Sequence, residues 1–151
     1  MNSSPFKAKI QLLFSYYFGI IVGFVVSFLL ILFRVIEFGI PKEAISAAME
    51  RYAIVFTLIA IPLALKLFAY KTKKRTFDSE KKAFKAYAGA FYFRLYILCL
   101  VVALNQLLFA ISRNMNFFWL TVVVLIVFMF CKPSFNEYAA LLTPSEDKNE
   151  E

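Results

Sequence analysis

Two adjacent amides, Asn105 and Gln106, lie deep inside an apolar stretch of this chain and are the first candidates for chemistry. An amide in an apolar medium needs a hydrogen-bond partner. Neighbouring positions on a helix point about 100° apart, so the two amides cannot both face one neighbour. The sequence predicts a hydrogen bond from Gln106 to another helix. The alternative is a polar pocket or conduit that contains both amides, with further lining from Ser15, Ser27 or Thr57.

Residue types that support catalysis or metal binding are scarce. The sequence has no histidine, and no Asp or Glu lies inside its apolar stretches, so proton-coupled transport lacks its usual intramembrane acid or base. No pairing of a nucleophile with a base and no phosphate-binding glycine loop can be read either. Two thiols without histidine make a poor metal site, and we interpret Cys99 and Cys131 as small apolar side chains. We expect no catalytic residue, no metal and no cofactor.

Four apolar stretches must position these side chains: 10–33, 52–70, 95–112 and 117–131. The chain is 62% hydrophobic with a mean hydropathy of +0.71, more apolar surface than a soluble domain of 151 residues can bury. The first stretch, at about 1.5 Å per residue, crosses a hydrocarbon core of about 30 Å. The sequence predicts an all-α, polytopic membrane protein with four transmembrane helices. Residues 1–142 form its single domain, and 143–151 are a disordered acidic tail.

The basic residues predict the orientation. Positively charged residues favour the cytoplasmic side of short loops. Twelve Lys and Arg residues lie in the N-terminal arm, the loop 71–94 and the C-terminal tail, against four in the two other connections. We therefore expect both termini and the loop 71–94 in the cytoplasm, with a bacterial cytoplasmic membrane as the location.

The loop 71–94 carries a basic cluster with a net charge of +6 for the loop as a whole. Phe84, Tyr87 and Phe91 share one helical face there, which predicts an amphipathic juxtamembrane helix lying on anionic headgroups before the third span. Positive-inside topology already explains these charges, so nucleic acid is not an expected partner. The residues expected to bind headgroups or an acidic protein partner are Lys71, Lys73, Lys74, Arg75, Lys81, Lys82 and Lys85.

The chain after Pro133 has a capping-box pattern. Ser134 with Glu137 three residues on predicts a short interfacial C-terminal helix.

Small residues recur at helical spacing in three of the stretches, which is typical of helices that approach closely in lipid. The stripes are Ser15, Gly19, Gly23 and Ser27; Ala53, Thr57, Ala60 and Ala64; and Cys99, Ala103, Gln106 and Ala110. The fourth stretch has no such stripe. We expect a packed core of the first three helices with the fourth outside it. The partner of the first stripe is another helix of this chain or a second copy, and we favour the former.

Two basic side chains fall at or inside the spans. Lys66 is expected to face lipid and to extend its ammonium to the headgroups, and Arg94 to do the same. The functional hypothesis is a small accessory or interaction subunit, not an enzyme, that works with a protein partner or as a homo-oligomer. The alternative is a small transporter or channel whose pathway runs near Asn105 and Gln106.

Overall fold

The computed structural model describes residues 5–37, 39, 41, 45–73, 77 and 79–142, and in these residues the chain forms five helices and no strand. The helices are α1 (Pro5–Leu32), α2 (Ala47–Lys73), α3 (Glu80–Ser112), α4 (Met115–Phe130) and α5 (Phe135–Ala139). The predicted all-α class is confirmed. The predicted tail, 143–151, lies outside the described residues.

Three of these helices are long and apolar enough to cross a membrane: Phe6–Leu32, Ala47–Thr72 and Glu80–Ser112. Each contains one of the predicted spans apart from a residue or so at its end. The fourth predicted span corresponds to α4, which is apolar but has only 16 residues, a length of about 24 Å.

Helix α3 is the centre of the bundle and contacts all four other helices. Half of its apolar window is buried, against 22% of that of α1 and 28% of that of α2. Helix α4 packs closely on α3 and also contacts α1 and α2. Four of its side chains are fully buried: Phe117, Thr121, Val124 and Phe128. The expected core of the first three helices with α4 outside is therefore wrong. The buried face of α4 has the same helical spacing as the small-residue stripes, but apart from Thr121 it consists of Phe and Val side chains.

The segment before the third span is not a separate helix on the membrane surface. It is the first part of α3, which runs unbroken for 33 residues. Tyr87 and Phe91 are fully buried, with their rings against other aromatic rings of the protein, and Phe84 is half-buried. The predicted aromatic face is thus real, but protein covers it and not headgroups. Its cover comes from Phe6 of α1 and Tyr138 of α5.

Helix α5 is held against α3 by hydrogen bonds. The Ser134 hydroxyl caps it by accepting the Asn136 N–H at 3.3 Å. The second half of the predicted capping box is absent, because the Glu137 carboxylate instead accepts the Tyr87 hydroxyl at 3.2 Å. The same hydroxyl accepts the Ser134 N–H at 3.1 Å and so replaces the box. Tyr87 therefore joins α3 to α5 through these hydrogen bonds.

Tyr138 differs from Tyr87 although the two rings lie 6.2 Å apart. Its hydroxyl is buried and has no hydrogen-bond partner among the described residues. Burial raises the pKa of Tyr138, and the negative charge of Glu80 adds to the effect. A buried hydroxyl without a partner costs about 1 to 3 kcal/mol.

This contrast predicts opposite effects for two similar substitutions. Tyr87→Phe removes a bonded hydroxyl and leaves the Ser134 N–H and Glu137 without it, so we expect it to lower the free energy of unfolding by about 1 to 2 kcal/mol. Tyr138→Phe removes an unbonded hydroxyl and is expected to be neutral or stabilising. Denaturant unfolding of both variants in detergent checks this. Equal losses in the two variants would contradict the hydrogen-bond assignment.

Candidate functional site

The polar side chains of α3 and of its C-cap residue are the best candidates for a functional site, because four of them hydrogen-bond to α1, to α2 or to the end of α4. They are spread along the whole length of the helix. In chain order they are Arg94, Asn105, Gln106 and Arg113.

Asn105 and Gln106 turn toward different helices. The Asn105 amide nitrogen donates to the Thr57 hydroxyl of α2 at 2.8 Å and to the Val101 carbonyl of its own helix at 2.9 Å. The Gln106 amide nitrogen donates to the Phe24 carbonyl of α1 at 2.9 Å. The described residues therefore do not bring the two amides into one pocket. Ser15, which was expected to line such a pocket, is exposed on the outer side of α1.

One polar atom in this region has no partner. Asn105 is fully buried, and its amide oxygen accepts no hydrogen bond within the described residues. Both N–H groups of the amide donate hydrogen bonds, so its donors are paired and its acceptor is not. The amide links α3 to α2 and leaves one acceptor unsatisfied.

The small-residue stripes have different outcomes. The stripe of α2, made of Ala53, Thr57, Ala60 and Ala64, is buried. In α3, Gln106 and Ala110 are buried, Cys99 is half-buried and Ala103 is exposed. The prediction that Ala103 packs against another helix is therefore wrong for the described part of the chain.

The stripe of α1 faces away from the bundle, contrary to the favoured expectation. Ser15, Gly19 and Gly23 are exposed, and Ser27 is half-buried. The buried face of α1 consists instead of large side chains, Leu13, Tyr17, Ile21 and Phe28. At about 100° per residue the stripe lies about 140° around the helix from that face. Aromatic and aliphatic bulk packs α1 onto the bundle, and the small residues are left outside.

A groove of about 390 Å³ runs along this outer face. Its lining comes from Leu12, Ser15, Tyr16, Gly19 and Ile20. A Cβ atom added at Gly19 or Gly23 would meet nothing within 4 Å. Both positions therefore tolerate a side chain as far as this chain is concerned.

Arg94 is buried, whereas the sequence predicted a lipid-facing side chain that reaches the headgroups. It is 5% exposed, and its guanidinium lies 3.7 Å from the centre of the Phe68 ring of α2. Its Nη2 donates to the Cys131 carbonyl at 2.8 Å, where α4 ends. A sequence signal for this existed, because Arg94 shares a helical face with Tyr87, Phe91 and Leu98, which are all buried.

A second side chain caps the same end of α4. The Tyr17 hydroxyl of α1 donates to the Phe128 carbonyl. The last carbonyls of a helix have no partner within the helix, and they carry its negative dipole end. A positively charged guanidinium and a hydroxyl from two other helices therefore stabilise the end of α4.

At its other end α3 closes a tight hairpin with α4. Arg113 ends α3 in the left-handed conformation, with φ of 53°, and its Nη1 donates to the Ile31 carbonyl of α1 at 2.6 Å. The side-chain amides of Asn114 and Asn116 donate to the Glu50 carboxylate of α2 at 2.6 and 2.9 Å. This end of the bundle is thus also joined by hydrogen bonds to helix α1 and helix α2.

The predicted basic surface is partly described. Lys71, Lys81, Lys82 and Lys85 are exposed, and the Lys71 ammonium lies 4.3 Å from the centre of the Phe93 ring. Lys74, Arg75 and the side chain of Lys73 lie outside the described residues. Lys66 is exposed, as its expected lipid-facing position requires. Within the described part of the chain, no group of three or more His, Cys, Asp or Glu side chains is placed to hold a metal ion.

The chain was compared with protein families, curated proteins and solved structures. No protein-family model, no curated protein and no solved structure matches the chain.

The Asn105 hydrogen bond allows a direct test of the α2–α3 contact. Thr57→Val removes its acceptor and is expected to lower the free energy of unfolding by about 1 kcal/mol, since interhelical hydrogen bonds in lipid contribute about that much. Thr72→Val is the matched control, because the Thr72 hydroxyl bonds only to carbonyls of its own helix. Unfolding of both variants in detergent is measured. A loss for Thr72→Val as large as that for Thr57→Val would contradict the role of Asn105.

Proposed function

We propose that the protein is a small four-span integral membrane protein that acts as an accessory or interaction subunit. In this proposal α4 is the fourth span, and the end of the bundle that holds Arg94 faces the cytoplasm, together with both termini. The charge distribution supports this orientation, because the basic loop 71–94 lies at that end.

The observation that carries the proposal is the outward face of α1. Ser15, Gly19 and Gly23, at four-residue spacing, face away from the bundle. The first two line a groove on that face. Small residues at this spacing let two helix backbones approach closely in lipid. The described residues do not pack against them, so a transmembrane helix of a partner is the occupant that fits them. That partner is a second copy or another membrane protein.

The exposed lysines of the basic loop supply a second contact. Lys71, Lys81, Lys82 and Lys85 are free of ion pairs with the described residues and lie on the surface. Each base near an anionic membrane surface contributes about 1 kcal/mol. We propose that they hold this end of the bundle against anionic headgroups or an acidic protein surface.

A transporter or channel has less support. Its proposed pathway needs Asn105 and Gln106 to face a common polar space, and both amides donate to protein groups on different helices.

The partner contact can be separated from folding. Gly19→Ile fills the outer face of α1, where a Cβ meets nothing within 4 Å, so the stability of the isolated protein should not fall. The side chain would hold a partner helix away, so association should weaken by about 1 to 3 kcal/mol. Cross-linking through Ser15→Cys, in a background without Cys99 and Cys131, measures the association in native membranes.

The matched control is Val25→Phe, which adds bulk to an exposed position of α1 on another side of the helix. It should leave the cross-linked product unchanged. The partner contact is disproved if Gly19→Ile and Val25→Phe give the same amount of cross-linked product. It is also disproved if Ser15→Cys alone gives no cross-linked product.

The orientation is tested separately. Ser79 and Asn116 are exposed and lie near opposite ends of α3. In a cysteine-free background, Asn116→Cys should react in intact cells with a membrane-impermeant maleimide, and Ser79→Cys should react after lysis only. The reverse pattern would overturn the orientation and leave the packing unaffected.

A further inference from the structure

Arg94 carries a charge that the described protein does not neutralise. An arginine stays protonated in proteins, so its burial cannot be relieved by loss of a proton. No carboxylate among the described residues forms an ion pair with it. Its contacts are the ring faces of Phe68 and Phe91, with centres at 3.7 and 5.7 Å, and the Cys131 carbonyl at 2.8 Å. A buried charge is costly unless it is paired and hydrogen-bonded.

The guanidinium also has donors to spare. It carries five N–H bonds, and the structure uses Nη2 alone. Nε and Nη1 have no hydrogen bond to the described residues. Arg94 keeps 5% of its surface exposed, and a guanidinium presents its N–H groups as a planar fork that matches the oxygens of phosphate.

The level of Arg94 along the bundle points to the source of such oxygens. Arg113 lies 19 residues farther along the same continuous helix, a distance of about 28 Å. The hydrocarbon core of a bilayer is about 30 Å thick. If α3 spans the membrane, the two arginines lie at its two faces, where the phosphates of phospholipids are found.

The surroundings of Arg94 are basic on both sides. Lys71 lies in the last turns of α2 with its ammonium over the Phe93 ring, next to Arg94 in the chain. Lys132 directly follows Cys131, whose carbonyl Arg94 bonds, and is exposed. Glu137 is the nearby acid to consider, and its carboxylate accepts the Tyr87 hydroxyl. Two exposed bases, Lys71 and Lys132, thus adjoin residues that are next to Arg94 or bonded to it.

We propose that Arg94 binds the phosphate of a membrane phospholipid where α2, α3 and α4 meet. The guanidinium donates to the phosphate oxygens through its free N–H groups while Nη2 keeps its bond to the Cys131 carbonyl. The lipid thereby neutralises the buried charge. This inference needs the chain to lie in a membrane, but it does not depend on the partner proposed for α1.

The test measures lipid binding to the delipidated full chain in detergent. Native mass spectrometry with added phosphatidylglycerol should show a bound lipid, and Arg94→Lys should weaken its binding about tenfold, because the charge remains and the fork is lost. Lys66→Gln, which changes an exposed base on α2, should leave the binding unchanged. Equal binding by the wild type and Arg94→Lys overturns the proposal, and so does equal weakening by Lys66→Gln.

A second arm separates the two sources of phosphate. Inorganic phosphate at millimolar concentration should not displace the lipid; displacement that depends on Arg94 would identify free phosphate as the ligand and overturn the lipid assignment. A third measurement needs no variant. A phospholipid with a photoreactive headgroup should label the wild-type chain near Lys71 or Lys132, and labelling confined to the Arg113 end would also disprove the site.

Discussion

The structure depends on one constraint, that a polar group inside an apolar bundle must find its partner within the protein. Helix α3 carries the polar side chains that meet this constraint. Asn105 bonds Thr57 of α2, Gln106 bonds a carbonyl of α1, and Arg94 bonds the carbonyl at the end of α4. Each of these bonds ties a different helix to α3. The central position of α3 and the arrangement of the other helices around it follow from this, since hydrophobicity alone distinguishes weakly between neighbours in lipid.

The two arginines of α3 show how the helix ends are treated. Arg113 bonds the Ile31 carbonyl where α1 ends, and Arg94 bonds the Cys131 carbonyl where α4 ends. Both place a positive charge at the negative end of a helix dipole, which is a favourable arrangement. They differ in their surroundings. Arg94 is stacked on Phe68 and enclosed, while Arg113 is less buried and lies at the hairpin, close to Asn114 and Asn116, which bond Glu50. Neither arginine forms an ion pair with the described residues, but only the charge of Arg94 is buried, and for this reason Arg94 carries the proposed lipid site.

Small-residue packing positions are buried inside the bundle on α2 but exposed on the outer surface of α1. The seams of α2 and α4 are buried against α3, but the small residues of α1 face outward beside a groove. A helix surface of small residues against which no described residue of the same chain packs is what an interaction subunit would need. The proposed partner contact and the proposed lipid contact therefore use different parts of the molecule, the outer face of α1 and the surroundings of Arg94 at the end of α4. They can be disrupted independently.

The sequence by itself determined the helical class, the positions of the apolar stretches and which polar residue types lie within them, because these properties depend on local composition and length. It also identified Asn105 and Gln106 as residues that need partners. It could not assign those partners, and it misplaced Arg94, the α1 stripe and the aromatic face with Tyr87. The physical reason is the solvent. In water a buried helix face differs from an exposed one by its polarity, but in lipid both faces are apolar, so periodicity shows which residues share a face and not what covers it. Only the tertiary structure decided that Gly19 and Gly23 face outward while Arg94 is enclosed between Phe68 and the end of α4.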